Sequence, residues 1–122
     1  MSTILVVEDN ENNLMLVRDV LQLKGYKVLE ALTGADGLRL AAEEKPDLIL
    51  MDIQLPDIDG ITALGRLRAD SATKAIPVLA VSASVMPEEQ QKITASGFEG
   101  FIAKPLNMKS FLQTIERFVG KA

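Results

Sequence analysis

Four short apolar runs in this chain each end in a polar residue. Ile4-Leu5-Val6-Val7 ends in Glu8-Asp9, and Leu48-Ile49-Leu50-Met51 ends in Asp52. Val78-Leu79-Ala80-Val81 ends in Ser82, and Phe101-Ile102-Ala103 ends in Lys104. Runs of this length, alternating with helical stretches, read as strands of a parallel sheet. Such sheets bind ligands outside the carboxyl ends of their strands. The residues that close the runs should therefore converge on one edge, although they are far apart in sequence. Three carboxylates, a hydroxyl and an ammonium in one crevice point to a cation site and to phosphoryl or acyl chemistry.

The segments between the runs support this frame. Asn10 or Asn13 can cap a helix running to Lys24, with Leu14, Val17, Val20 and Leu21 on one side. Gly25 ends it as the residue after the cap. Tyr26 to Ala31 is a weaker strand, and its alternation with Lys27 and Glu30 suggests a sheet edge. Thr33 can cap a helix to about Glu44, with Leu38, Ala41 and Ala42 inward, and Pro46 breaks it. Asp47 to Asp52 is nearly all apolar, which predicts burial on both faces. A loop from Gln54 to Gly60 leads to a helix from Ile61 to Asp70, with Asp57 and Asp59 as turn residues. Pro87, Glu88 and Glu89 suit the first turn of a helix that stops near Gly97. Asn107 can cap a last helix, where Phe111, Leu112, Ile115, Phe118 and Val119 form a core stripe. Five strand–helix units with short connections predict a doubly wound α/β fold with right-handed crossovers. A closed eight-stranded barrel needs about twice this length.

Composition narrows the chemistry. At 122 residues the chain is expected to form one domain, 1–122. It has no Cys, which excludes disulfides, thiol chemistry and Cys-based zinc. It has no His, which excludes a His base, a His metal ligand and a phosphohistidine of its own. The net charge of -4 speaks against a nucleic-acid surface. No apolar run approaches the ~18 residues of a membrane helix. No signal pattern opens the chain, because Glu8 and Asp9 interrupt the first apolar run. The expectation is a soluble, cytoplasmic protein that binds neither nucleic acid nor membrane.

Asp52 is the reactive candidate, since it ends the most apolar strand. Two like charges ~4 Å apart repel by about 4 kcal/mol at an effective dielectric near 20, so an acid pair facing Asp52 needs a cation. Lys104 supplies one. A hard divalent ion with oxygen ligands is the natural second, and Mg²⁺ suits few protein ligands, several waters and a phosphate oxygen. A carboxylate in that setting can act as a nucleophile toward a phosphoryl group. Lys104 would pair with a phosphoryl oxygen and Ser82 could bond another. Lys104-Pro105 precedes a helix, and a cis or a trans bond before Pro105 fits equally.

The chain resembles a response-regulator receiver domain (CheY-like, two-component signalling) from end to end. The resemblance rests on Val6-Val7-Glu8-Asp9-Asn10, Met51-Asp52-Ile53-Gln54-Leu55-Pro56 through Gly60, Val81-Ser82-Ala83 and Lys104-Pro105. Each motif alone is weak; four in order are not. The resemblance implies a flavodoxin-like fold with strand order 2-1-3-4-5. It implies a signalling phosphoacceptor rather than an enzyme. Asp52 would accept a phosphoryl group from a phosphohistidine on a partner histidine kinase or histidine phosphotransferase. Asp9 would bind Mg²⁺ directly, Glu8 through water, and Asp52 and the backbone carbonyl of Gln54 would complete the set. Ser82 and Phe101 match the switch hydroxyl and switch aromatic. Their movement would alter the face built from the fourth helix, fifth strand and fifth helix, where a downstream protein target would bind. Ser84 has no carboxylate to orient water, which implies slower loss of the phosphoryl group than with an acid there. The stretch from Asn10 to Asn13 and the residues around Asp52 also resemble both single-domain regulators of the DivK type and receivers attached to hybrid kinases. If the chain is the whole protein, no room remains for an output domain and signalling is expected to pass through protein contacts. A receiver excised from a longer protein is the other reading, and either way the chain is expected to be a monomer or weak dimer.

Competing readings fare worse. Haloacid-dehalogenase-like phosphatases also use a strand-end Asp with Mg²⁺, but need a second Asp where Gln54 stands. A flavodoxin needs a hydroxyl- and glycine-rich phosphate loop where Glu8-Asp9-Asn10 would repel phosphate. A calcium loop ending at Asp57-Ile58-Asp59-Gly60 fails because Leu55 and Arg66 occupy its first and last ligand positions. An interaction scaffold without phosphorylation is the remaining alternative.

Overall fold

The computed structural model describes residues 2–83, 86–104 and 106–120. Among the described residues, five strands and five helices alternate: β1 (Thr3–Val7), α1 (Glu11–Leu23), β2 (Lys27–Ala31), α2 (Gly34–Glu44), β3 (Leu48–Asp52), α3 (Gly60–Ala69), β4 (Val78–Ser82), α4 (Pro87–Ala95), β5 (Gly100–Ala103) and α5 (Met108–Val119). The strands form one parallel sheet in the order β2-β1-β3-β4-β5. This is the predicted doubly wound α/β architecture.

The strand alternation sorts the core into two layers, because successive side chains point to opposite faces. Leu5, Val7, Ile49, Met51, Val78 and Ala80 pack with Ala41 of α2, Ala63, Leu64 and Leu67 of α3 and Ile93 of α4. Ile4, Val6, Leu48, Leu50, Leu79 and Ile102 pack with Leu14, Val17 and Leu21 of α1 and Phe111 and Ile115 of α5. All five residues of β3 are buried, as its unbroken apolar run predicts. Fully burying a Leu or Ile stabilises the fold by about 1.5–3 kcal/mol, so this central strand anchors both layers.

Helix starts follow their caps. Asn10 accepts from Asn13 N–H, Thr33 from Asp36 N–H, Asp59 from Thr62 N–H and Asn107 from Ser110 N–H. Asn10, not Asn13, therefore caps α1, and Asn13 lies inside the helix. Pro87 occupies the first turn of α4. The element ends differ from the sequence expectation by a residue or two: α1 stops at Leu23 rather than Lys24, and α3 runs from Gly60 to Ala69 rather than from Ile61 to Asp70. Val20, Leu38 and Ala42 are half-buried rather than fully inward, because they flank the apolar stripes of their helices. Helix α2 ends at Lys45, which takes φ 46. Pro46 disfavours continued helix at the residue before it.

Candidate functional site

The sheet register aligns the site. Val7 pairs with Met51, so Glu8 and Asp52 follow at one level. Asp52 pairs with Val81, and Ser82 pairs with Ala103, one residue before Lys104. Backbone bonds continue past the strand ends: Glu8 N–H donates to Ala31 O at 2.9 Å, Ile53 N–H to Val81 O at 3.1 Å, and Lys104 N–H to Ser82 O at 2.9 Å. Each chemistry-bearing residue is therefore pinned to, or next to a residue pinned to, a neighbouring strand.

The side chains converge accordingly. Lys104 Nζ lies 2.9 Å from Glu8 Oε1 and 3.0 Å from Asp52 Oδ2. The other Asp52 oxygen, Oδ1, accepts from Gln54 N–H at 2.9 Å. Glu8 and Asp52 are buried and Asp9 is exposed, with one carboxylate oxygen of each within 4.8 Å of the others. Ser82 is buried at the end of β4. Phe101 is half-buried on β5 against the layer of α2, α3 and α4. Gln54 is exposed at the start of the β3–α3 loop. Beside the cluster lies a cavity of about 440 Å³, with Glu8, Asp52 and Lys104 at its polar end and Leu16, Leu106 and Phe111 on its apolar walls.

The electrostatics reflect crowding without full neutralisation. Burial pushes the Glu8 carboxyl up from 4.5 to about 7, Asp52 adds to the rise, and Lys104 opposes it. Burial lowers the Lys104 ammonium, but its bonds to Glu8 and Asp52 outweigh that and hold it above its ordinary value. Glu8 Oε2 is buried and accepts no hydrogen bond. An orphaned buried carboxylate oxygen is costly. Three hard oxygen donors with one unpaired atom suit a divalent cation with water in its shell. The donor set therefore fits Mg²⁺.

The expected convergence of Glu8, Asp9, Asp52, Ser82 and Lys104 at one sheet edge is what the structure places there. Pro105, with its cis or trans bond, and Ser84, with its bearing on hydrolysis, lie outside the described residues. Two residues read as turn formers do more. Asp59 caps α3. Asp57 spans to α2, accepting from Gly34 N–H at 2.8 Å and Ala35 N–H at 2.9 Å. Those bonds hold the Asp57 carboxyl below its ordinary value, as the Thr62 N–H bond does for Asp59. Nothing local marks Asp57 for this, since its partners lie more than twenty residues earlier.

Comparison with known proteins gives a consistent picture. Residues 4–116 match the response regulator receiver domain family. The chain is 40% identical over 120 residues to the polar-differentiation response regulator DivK of Brucella anthropi, covering 98% of each chain. The DivK of Brucella ovis matches equally, at 40% over 98% of each. Among solved structures, the receiver domain of the sensor histidine kinase PA1611 from Pseudomonas aeruginosa superposes with a TM-score of 0.90 at 29% identity, covering 98% of both chains. That structure has a magnesium ion coordinated in its active site cleft. The chemotaxis response regulator CheY4 of Vibrio cholerae superposes with a TM-score of 0.90 at 30% identity, covering 97% of this chain and 98% of its own.

Proposed function

The chain belongs to the response regulator receiver family of two-component signalling, and on that premise we propose that it is a Mg²⁺-dependent phosphoacceptor whose phosphorylated residue is Asp52. As a receiver it is a signalling phosphoacceptor rather than an enzyme of the ordinary kind, and the phosphatase alternative falls away. The observation that carries the assignment is the bridging of Glu8 and Asp52 by Lys104 at the sheet edge.

Asp52 attacks the phosphorus of a phosphohistidine on a partner histidine kinase or histidine phosphotransferase. A new P–O bond forms, the P–N bond breaks, and the departing imidazole keeps the electron pair and takes a proton from water. Gln54 N–H holds one Asp52 oxygen, which limits the rotation of the carboxylate. Lys104, freed from Asp52 as that charge is masked, pairs with a phosphoryl oxygen. Ser82 donates to another. Glu8, Asp9, Asp52 and the Gln54 carbonyl would hold the Mg²⁺. Bound there, the cation offsets the charge of the phosphoryl group and the surrounding carboxylates.

The output follows from the same contacts. Ser82 drawn toward the phosphoryl group would free space into which Phe101 turns, reshaping the face of α4, β5 and α5 for a protein target. The product would be a signal between proteins. Among the described residues no helix is long and apolar enough to cross a membrane. Ser84, lacking a carboxylate, makes the phosphoryl group longer-lived than in a Ser84→Glu variant.

The deciding experiment is intact-protein mass after incubation with acetyl phosphate, with and without Mg²⁺, on wild type and Asp52→Asn. A Mg²⁺-dependent gain of one phosphoryl group, absent in the variant, is expected. No gain in wild type under either condition would leave the scaffold reading in its place.

A further inference from the structure

We propose that α2 acts as a brace that sets the spacing of the two loops bearing the acidic cluster, with Asp57 as its positioning residue. The inference rests on the receiver reading, because it concerns how the proposed metal ligands are held.

Three contacts on α2 carry it. Both Asp57 oxygens accept from the first turn of the helix, at Gly34 N–H and Ala35 N–H. These donors have no partner within the helix, and its N-terminal end favours a negative charge. Second, a Cβ on Gly34 would fall 2.5 Å from Ile58 Cγ1. The β3–α3 loop therefore lies directly on the helix, closer than any other residue there would allow. Third, a Cβ on Gly37 would fall 2.7 Å from Val7 Cγ2. Val7 immediately precedes Glu8 and Asp9. Positions three apart share a helix face, so one face of α2 touches both the β1 end and the β3–α3 loop.

The loop transmits what happens at Asp57. Its neck is closed by Gly60 N–H donating to Ile53 O at 2.9 Å. Between that neck and Asp57 lie Gln54, Leu55 and Pro56. Proline fixes its own φ and restricts the residue before it. A shift at Asp57 thus passes through a stiff pair to Gln54. Gln54 supplies the proposed carbonyl ligand, and its N–H orients Asp52. Releasing Asp57 loosens a ligand and the reactive carboxylate together.

The test is Mg²⁺ titration calorimetry on wild type, Asp57→Ala and Asp57→Asn at one ionic strength, with amide NMR spectra of each. Asp57→Ala should weaken Mg²⁺ binding about tenfold, the low end for groups that orient metal ligands. Its Gln54 amide resonance should move. Asp57→Asn lacks the charge but keeps a carbonyl acceptor for Gly34 N–H, so it should recover most of the loss. Equal weakening in both variants would reduce the effect to charge and overturn the brace. Unchanged binding in Asp57→Ala would overturn it while the receiver reading stands. Absence of Mg²⁺ binding by wild type would overturn both.

Discussion

Replacing Glu8 with Gln, with divalent ions chelated, probes the electrostatics of the cluster most directly. Burial and the neighbouring Asp52 raise the Glu8 pKa from 4.5 to about 7, against the pull of Lys104. Between those values the folded protein keeps a proton that the unfolded chain has released. Stability therefore falls as pH climbs from about 4.5 to about 7 and stays reduced above that. At about 1.4 kcal/mol per unit the rise corresponds to ~3 kcal/mol, a ceiling because the cluster can relax and admit water. The orphaned Oε2 is the same cost seen as geometry. Gln has no charge to desolvate. Its carbonyl can accept from Lys104 and its amide can donate to Asp52. In urea denaturation Glu8→Gln should exceed wild type by about 2–3 kcal/mol at pH 8, and the difference should shrink toward zero near pH 5. Saturating Mg²⁺ should narrow the gap at pH 8. Equal stability at pH 8, or a difference that stays constant from pH 5 to 8, would refute the reasoning.

Two glycines make a matched pair for calorimetry. Gly37→Val drives a side chain into Val7, where even a Cβ comes to 2.7 Å, and should cost about 1–3 kcal/mol. Gly65→Ala meets nothing within 4 Å on an exposed helix position and should stabilise by about 0.5–1 kcal/mol. Thr73, 1% exposed, donates its hydroxyl to Leu67 O at 2.7 Å. Thr73→Val removes that short bond, leaving the carbonyl the longer one from Asp70 N–H at 3.4 Å, and should lower stability by about 1 kcal/mol in urea. Asp57 and Asp59 have pKa values below 3.8, through the Ala35 and Gly34 N–H groups and the Thr62 N–H group respectively. The stability they confer is present above 3.8 and is lost as pH falls through their lower folded values. Acid unfolding followed by circular dichroism should therefore be less steep below pH 4 in an Asp57→Asn, Asp59→Asn double variant than in wild type.

The site was legible because its residues announce themselves locally. A strand-end carboxylate after four apolar residues, as at Asp52, is readable without knowing its neighbours. Glu8 and Asp9 share that signature, Ser82 and Lys104 are polar groups that close apolar runs in the same way, and a parallel sheet brings such ends together whatever the loops do. The helix starts at Thr33 and Asn107 were equally plain, because a cap bonds to an amide three residues on. Asn10 and Asn13 were harder to separate, since both offer the same oxygen at neighbouring turns.

Other features depend on distance in space alone. Asp57 and Asp59 look alike in sequence, yet one caps its own helix and the other ties down α2, 22 and 23 residues away. Glycine is a poor helix former in general, and only the fold shows the loop and Val7 lying against Gly34 and Gly37. Which carboxylate oxygen meets Lys104, and that Glu8 keeps one oxygen unpaired, follows from side chains 96 and 52 residues apart meeting Lys104 in one crevice. The sequence by itself determined the alternation of strands and helices, their caps and the list of groups at the sheet edge, because those rest on periodicity and on bonds a few residues long. The tertiary structure alone decided which partners those groups take and what each carboxylate costs, because burial and long-range contact exist only once the sheet has formed.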